Sequence, residues 1–398
     1  MIKKILILII ITGGFSMSFC SEKEKFSNFL NSQGYFISAE FPYYRLEESL
    51  WKNRIELIKE SGIETLTFYI PWNITETSKG LFDFQKAVEF LEMIRKNDMK
   101  AIIKPGPFIC AEVQHGGIPD WVTDDDDNDE IIMKDSFNQD VRFRQDILPL
   151  PSYLSKEYLE YVRRWYEEVY ENIINPFSDI ISAIQVENEI PYSTSGLSNP
   201  FSWGYDKNTV NLYREWLREK YESIQKYNDL HQTENEHFEE IVPPRGWKAN
   251  DFNSWLIYSD WADFKSYYAT KVLEEYVGIL KDMETNIPFY HNYLMLEEES
   301  PVDFLKFNEI IYSGGNYWLP SHPLKDTWAL IEGIRRIMMI NASLGEKSYI
   351  PEMNWGWGSA EEFLFQAMYL LPYTNGFNVY PILDSSDAGD LNNKPYSN

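Results

Sequence analysis

The sequence predicts an α/β fold, a (β/α)8 TIM barrel lacking its last helix, and two observations point to it. Eight short apolar runs alternate with longer amphipathic stretches, the pattern of parallel strands separated by covering helices. Two of those runs end in glutamates, Ile181-Ser-Ala-Ile-Gln-Val-Glu-Asn-Glu189 and Ser348-Tyr-Ile-Pro-Glu352. A barrel of this type carries its chemistry at the carboxyl ends of its strands, and two carboxylates are what glycosidic bond cleavage needs.

Taken in order, strands are expected at residues 35–43, 64–72, 99–108, 180–186, 288–293, 309–317, 347–353 and 376–383. Helices are expected near 48–60, 84–97 and 156–171, with a helical insertion at about 193–285 whose helical period runs from 208 to 282. The strand runs are apolar on both faces, as strands packed between a barrel interior and its helices must be. No glycine-rich phosphate loop follows any of them, which weighs against a nucleotide-binding open sheet. After the eighth strand only residues 384–398 remain, rich in Asp, Ser, Asn and Gly and without helical period. The closing helix is therefore missing, and the outer face of strand eight, Phe377, Val379 and Pro381, is expected to lie uncovered. Either the barrel is completed in an unusual way or the chain is a shortened copy of a longer protein; the second reading is favoured, and with it a chain poorly soluble or oligomeric on its own.

Residues 1–20 read as an export signal, with Lys3 and Lys4 ahead of an unbroken apolar run from Ile5 to Ile11. The run is too short for a permanent membrane helix, so removal is expected and the mature protein is exported, periplasmic or at the cell surface. Cys20 follows as in a bacterial lipobox, although Phe19 stands where that motif has a small residue. A lipid anchor at Cys20 and plain secretion both stay open. Cleavage takes the formal charge from −26 to −28 and leaves Cys110 without an intrachain disulfide partner. The catalytic domain is then residues 30–398.

So negative a chain argues against nucleic acid and anionic membrane surfaces as partners and suits a neutral carbohydrate. The 27 Tyr, 24 Phe and 13 Trp exceed what a core of this size requires. Aromatic rings at a barrel mouth stack on the apolar faces of sugars, while most of them serve as core.

Ser38-Ala-Glu40-Phe-Pro-Tyr-Tyr-Arg45, Tyr69-Ile-Pro-Trp-Asn73, Lys104-Pro-Gly-Pro-Phe-Ile-Cys-Ala-Glu112 with Gly116-Gly-Ile-Pro-Asp-Trp121, Gln185-Val-Glu-Asn-Glu189, and Glu352 ahead of Trp355-Gly-Trp357 occur in this order. The set resembles glycoside hydrolase family 35 over about residues 34–192 and 347–383. The resemblance implies a clan A barrel, a retaining mechanism and, most commonly, β-galactosidase activity. Between the blocks the chain departs from that family. Glu189 and Glu352 are 163 residues apart, a wider interval than usual. Tyr213-Arg-Glu-Trp-Leu-Arg-Glu-Lys-Tyr221, Tyr227-Asn-Asp-Leu230 and Val242-Pro-Pro-Arg245 are similar to family 42 galactosidases, and the C-terminal β-domains usual in family 35 are absent.

The resemblance makes Glu189, which follows an Asn, the acid/base and Glu352 the nucleophile, with Asn188 on the sugar 2-hydroxyl. Alternation along the strand is taken to turn Glu187 to the opposite side, as a structural carboxylate. Glu112 matches the carboxylate that holds the galactose 4- and 6-hydroxyls. Cys110 is expected as a packed thiol whose backbone, with that of Ala111, can bond the sugar. Tyr69 and Tyr317 match pocket positions of the clan, with Tyr317 orienting Glu352 through its hydroxyl, and Trp355 and Trp357 would line the sugar platform.

Asp124-Asp-Asp-Asp-Asn-Asp-Glu130 lacks the glycine a calcium loop needs at its sixth position and reads as a solvated acidic loop. The five histidines show no paired metal spacing. No cofactor and no catalytic metal are expected. Two alternatives stay beside the β-galactosidase reading. One is a clan A glycosidase acting on a β-glucosaminide, β-glucoside or arabinoside. The other is a catalytically inactive sugar-binding surface lipoprotein.

Overall fold

The structure, a computed structural model, describes residues 21–109, 113–124, 130–142, 148–190, 201–247, 250–293, 303–317, 327–353 and 360–380. The strands are β1 Phe36–Glu40, β2 Thr65–Tyr69, β3 Lys100–Lys104, β4 Ile181–Gln185, β5 Phe289–Tyr293, β6 Tyr312–Gly315, β7 Ser348–Met353 and β8 Thr374–Val379. They pair in parallel in the order β6-β5-β4-β3-β2-β1-β8-β7. A parallel bridge between Tyr317 and Met353 joins the two ends, so the barrel is nearly closed.

The strands stop sooner than the apolar runs do. Phe41 and Ile70 donate a last N–H to Thr67 and Lys104 across the sheet. Pro42, Pro71, Pro105 and Pro107 then have no N–H to offer a ladder. The remaining apolar residues of each run build the mouth instead.

Helices α2 Glu48–Glu60, α3 Gln85–Lys96 and α4 Lys156–Val169 lie where the period places them. Helix α1, Glu22–Gln33, precedes β1 and opens on a capping box in which Ser21 and Glu24 satisfy each other's backbone N–H groups. It carries Phe26 onto Tyr290, Tyr312 and Tyr349, with ring centroids at 4.6, 4.9 and 6.1 Å. Those tyrosines begin β5, β6 and β7, so α1 plugs the end of the barrel opposite the strand carboxyl termini.

Among the described residues the insertion holds three α-helices, α5 Lys207–Tyr221, α6 Ile224–His231 and α7 Phe252–Lys281. Left-handed Glu222 and Gln232 stop the first two. Asp260 on α7 ties them together, accepting from Lys220, the Tyr221 hydroxyl and His231 Nε2, each at 2.9 Å. Helix α8, Phe304–Ile310, takes up the first residues expected of strand six, and α9 Thr327–Leu344 and α10 Ala360–Leu370 flank β7.

The outer face of β8 is not left bare, which corrects the sequence expectation at Phe377. This residue is 4% exposed, with the rings of Phe363 on α10 and of Tyr35 at 5.9 and 6.1 Å. The helix between β7 and β8 reaches across to cover it. Residues 1–20 with Cys20, and the stretch after Tyr380, lie outside the described residues.

Candidate active site

After Gln185 the chain leaves strand geometry. Glu187 and Glu189 both take left-handed φ, 57° and 53°, a conformation costing a side-chain-bearing residue about 1 kcal/mol or more. Several bonds hold this turn. The Glu187 N–H donates to the Gly106 carbonyl at 3.2 Å. The Phe108 N–H donates to the Glu187 carboxylate at 3.1 Å, and the Glu189 N–H donates to Asn292 Oδ1 at 3.1 Å. Glu187 is buried and structural, as expected, but the alternation argument for it is corrected. Residues two apart share a face of a strand, and Glu187 parts from Glu189 only because the strand has already ended. Burial first, and the Glu187 charge in addition, push the hydroxyls of Tyr153, Tyr158, Tyr166 and Tyr276 well above the usual phenol range.

Glu352 is 3% exposed and is surrounded by donors from other strands. Tyr69 on β2 gives its hydroxyl to Oε1 at 3.0 Å, and Asn292 on β5 gives Nδ2 to the same oxygen at 3.3 Å. Asn316, just past β6, gives Nδ2 to Oε2 at 3.2 Å. The ammonium of Lys104 on β3 lies 3.7 Å from Oε1 and 2.8 Å from Glu40 of β1. Asn378 of β8 donates to the same Glu40 oxygen at 2.9 Å. A cation and three donors stabilise the charged carboxylate.

Asn316 Nδ2 also donates to Glu189 Oε1, at 2.6 Å. One nitrogen therefore touches both carboxylates, so their facing oxygens lie within about 6 Å of each other, close to the spacing of a double-displacement pair. Glu189 is half-buried. Asn188, 2% exposed, accepts from Asn292 Nδ2 at 2.9 Å and from Gln185 Nε2 at 3.1 Å, with the Tyr69 hydroxyl 3.4 Å away. A charged, desolvated carboxylate beside a more open one can divide nucleophilic attack and proton transfer between them.

The structure thus brings Glu189, Glu352, Asn188 and Tyr69 together. It corrects the role expected of Tyr317. That residue's N–H donates to the Glu352 carbonyl at 2.8 Å, but its ring belongs to an outer cluster with Leu330, Ile337 and Ile350. A Cβ placed on Gly333 would come within 2.5 Å of it. Its hydroxyl is buried without a partner among the described residues, and Tyr69 makes the bond to Glu352 instead. Cys110, Ala111, Glu112, Trp355 and Trp357 lie outside the described residues.

Sequence reasoning missed Asn292, Asn316 and Lys104. Each is a polar residue at the end of an apolar run, the same signal that singled out the glutamates. Among the described residues no group of three or more His, Cys, Asp or Glu is placed to hold a metal ion.

A family model for glycosyl hydrolases family 35 matches residues 29–292. Curated relatives include a beta-1,2-glucosyltransferase of Ignavibacterium album, 31% identical over 66% of this chain and 37% of its own length. An exo-beta-D-glucosaminidase of Pyrococcus horikoshii is 31% identical over 64% of this chain and 33% of its own. A beta-galactosidase-1-like protein of Mus musculus is 23% identical over 97% of this chain and 50% of its own. The chain thus spans between a third and a half of the length of these relatives. Among solved structures, the beta-galactosidase of Marinomonas ef1 superposes with a TM-score of 0.70 at 16% identity, over 87% of this chain and 54% of the other. The catalytic domain of the Paenibacillus polymyxa beta-amylase gives 0.65 at 14%, over 91% and 95%. At such identities the superpositions speak to the fold, and the family match carries the assignment: the chain belongs to family 35 of the glycosyl hydrolases.

Proposed function

We propose that the chain is a retaining glycoside hydrolase that cleaves terminal β-D-galactosides by double displacement. The observation that carries this reading is the shared Asn316 amide, which sets Glu189 and Glu352 at close quarters. Glu352, ionised beside Lys104, attacks the anomeric carbon and forms the glycosyl-enzyme, while Glu189 gives its proton to the leaving oxygen. Glu189 then takes a proton from the water that releases the sugar. The exposed side of Glu189 suits that exchange. We also read the enzyme as exported, on the pattern of residues 1–20.

A second reading, a gluco-configured substrate, is favoured by the names of two relatives, a beta-1,2-glucosyltransferase and an exo-beta-D-glucosaminidase. A panel of nitrophenyl β-D-galactoside, β-D-glucoside, β-D-glucosaminide and α-L-arabinoside separates the two. The galactoside is expected to show the highest kcat/KM. A glucoside or glucosaminide preferred by about tenfold, some 1.4 kcal/mol in transition-state binding, would move the proposal to the second reading. Variants test the roles. Glu352→Gln is expected to abolish turnover, whereas Glu189→Ala should keep activity on activated aryl glycosides and be rescued by azide. Proton NMR of nascent product should show the β anomer first, and an α anomer first would overturn double displacement.

A further inference from the structure

Asn292 makes contacts that neither carboxylate's role explains. Its Oδ1 accepts the Glu189 N–H at 3.1 Å, and its Nδ2 faces Asn188 Oδ1 at 2.9 Å and Glu352 Oε1 at 3.3 Å. A third contact, 3.5 Å to Asn316 Oδ1, links it to the amide that touches both glutamates. The side chain is fully buried, and β5 is fixed against β6 by the Asn292–Gly314 register and by the bond from Asn316 N–H to Tyr293 O at 2.9 Å.

From this geometry, and resting on the roles proposed above for Glu189 and Glu352, we infer that Asn292 is a positioning residue that sets the acid/base and the nucleophile relative to each other. The acceptor end pins the left-handed turn on which Glu189 is mounted. A left-handed non-glycine residue relaxes once its partner is lost, so Glu189 would drift without it. The donor end holds Glu352 Oε1 on the side away from Oε2, which Asn316 holds. One rigid amide thus reads both groups, whereas a residue bonded to one of them could fix only that one. The side chain has one orientation that works: with O and N exchanged, an N–H would face an N–H and an oxygen would face three oxygens.

The orientation makes the test sharp. Asn292→Asp keeps the acceptor for the Glu189 N–H and replaces the donor with an oxygen facing Glu352. Among the described residues, the charged or titratable groups around Glu352 are Lys104 on β3, Glu40 on β1, Tyr69 on β2, Glu189 after β4, Tyr290 on β5 and Tyr349 on β7. A carboxylate in place of Asn292 adds a like charge to that set and disfavours ionised Glu352. In Asn292→Asp the acid limb of the kcat/KM profile should move up by about one pH unit or more, with activity recovering at higher pH. Asn292→Ala should lose roughly 100-fold in kcat with KM changed by less than about threefold, the pattern of an interaction made in the transition state.

A reading independent of turnover is the Glu352 carboxyl resonance in protein labelled with δ-carbon-13 glutamate, assigned by its loss in Glu352→Gln. In Asn292→Asp its titration should move upward by a similar amount. If Asn292→Ala fails to fold by circular dichroism, the Asp variant, which preserves shape, carries the test. Unchanged titration of Glu352 in Asn292→Asp overturns the inference, as does wild-type kcat in Asn292→Ala. A chain without glycosidase activity whose Glu352 titration still moves in Asn292→Asp would overturn the functional proposal while supporting the placement.

Discussion

Replacing Tyr69 by Phe removes one oxygen atom and, with it, a 3.0 Å hydrogen bond to Glu352 Oε1. A phenol has one hydrogen to give. The other contact, 3.4 Å to Asn188 Oδ1, is the longer, so the proton belongs on the carboxylate. A hydrogen bond to a charged group contributes about 1.5–3 kcal/mol, or roughly 10- to 150-fold in rate if it is fully expressed in the transition state. Asn292, Asn316 and Lys104 remain around Glu352 in the variant. A loss of about 10- to 50-fold in kcat/KM is therefore expected, toward the lower half of that range. The control is Tyr317→Phe, measured on the same nitrophenyl glycoside. Its ring lies outside the barrel wall among Leu330, Ile337 and Ile350, and its buried hydroxyl has no partner among the described residues. Burial alone pushes that hydroxyl above the usual phenol range. Removing it should change kcat/KM by less than about threefold and leave stability level or slightly raised. If Tyr317→Phe loses as much activity as Tyr69→Phe, the outward placement of Tyr317 is wrong and so is the reasoning built on it.

His291 is fully buried beside Phe307, donates Nδ1–H to the Val186 carbonyl at 2.8 Å, and is lowered by burial to about 4. The unfolded chain takes up this proton near pH 6.5 and the folded chain only near 4. Stability present above about pH 6.5 is therefore lost as pH falls toward 4, by roughly 3 kcal/mol at most; urea midpoints at pH 7 and 4.5 should show it, and His291→Gln should flatten the slope. Phe26→Ala should cost about 3–5 kcal/mol by emptying the plug under three tyrosines, seen as a lower Tm with kcat/KM of the folded enzyme unchanged; a matching loss of kcat/KM would mean that the plug shapes the site. Deleting Pro351 should leave a folded barrel by circular dichroism with kcat reduced to the level of Glu352→Gln; near-normal activity would show that the extra residue in β7 does not aim Glu352.

Much of this arrangement was legible in the sequence because a parallel barrel strand is apolar on both faces, so a polar residue at its end stands out. Glu189 and Glu352 were found that way. The same rule, applied evenly, reaches Asn292 in Phe289-Tyr-His-Asn-Tyr293 and Lys104 in Lys100-Ala-Ile-Ile-Lys104. Tyr317 was misplaced for a reason the chain itself supplies. Asn316 faces the carboxylates, and adjacent residues of an extended chain point to opposite sides, so Tyr317 must face out. Helix α1 carries a capping pattern, Ser21-x-x-Glu24, that was hidden by its position directly after the expected leader. Where each strand stops could not be read from apolar content alone, since the runs continue into the mouth and prolines decide the boundary.

Strand β7 shows why simple alternation also misjudges how Glu352 reaches the interior. Tyr349 faces inward, its hydroxyl 2.7 Å from that of Ser38 on β1. Strict alternation from Tyr349 would send Pro351 and Met353 inward and Glu352 outward. The pairing with β8 runs from Ile350–Phe377 to Met353–Val379 and shifts register between them, so three steps on β7 match two on β8. One extra residue is accommodated as a bulge, a device that re-aims side chains beside active sites. Pro351, without an N–H, sits in it at no cost to the ladder. Its neighbour strand makes room, because a Cβ on Gly314 of β6 would come within 2.4 Å of the Tyr349 carbonyl and 2.9 Å of Pro351 Cδ. With the bulge, Ile350 joins the outer cluster and Glu352 turns in to meet Tyr69, Asn292 and Asn316. The site therefore depends on two departures from ideal strand geometry on opposite sides of the barrel. One is the left-handed turn that presents Glu189, and the other is the Pro351 bulge that presents Glu352. Asn292 and Asn316 lie between them and bond to both products of that irregularity.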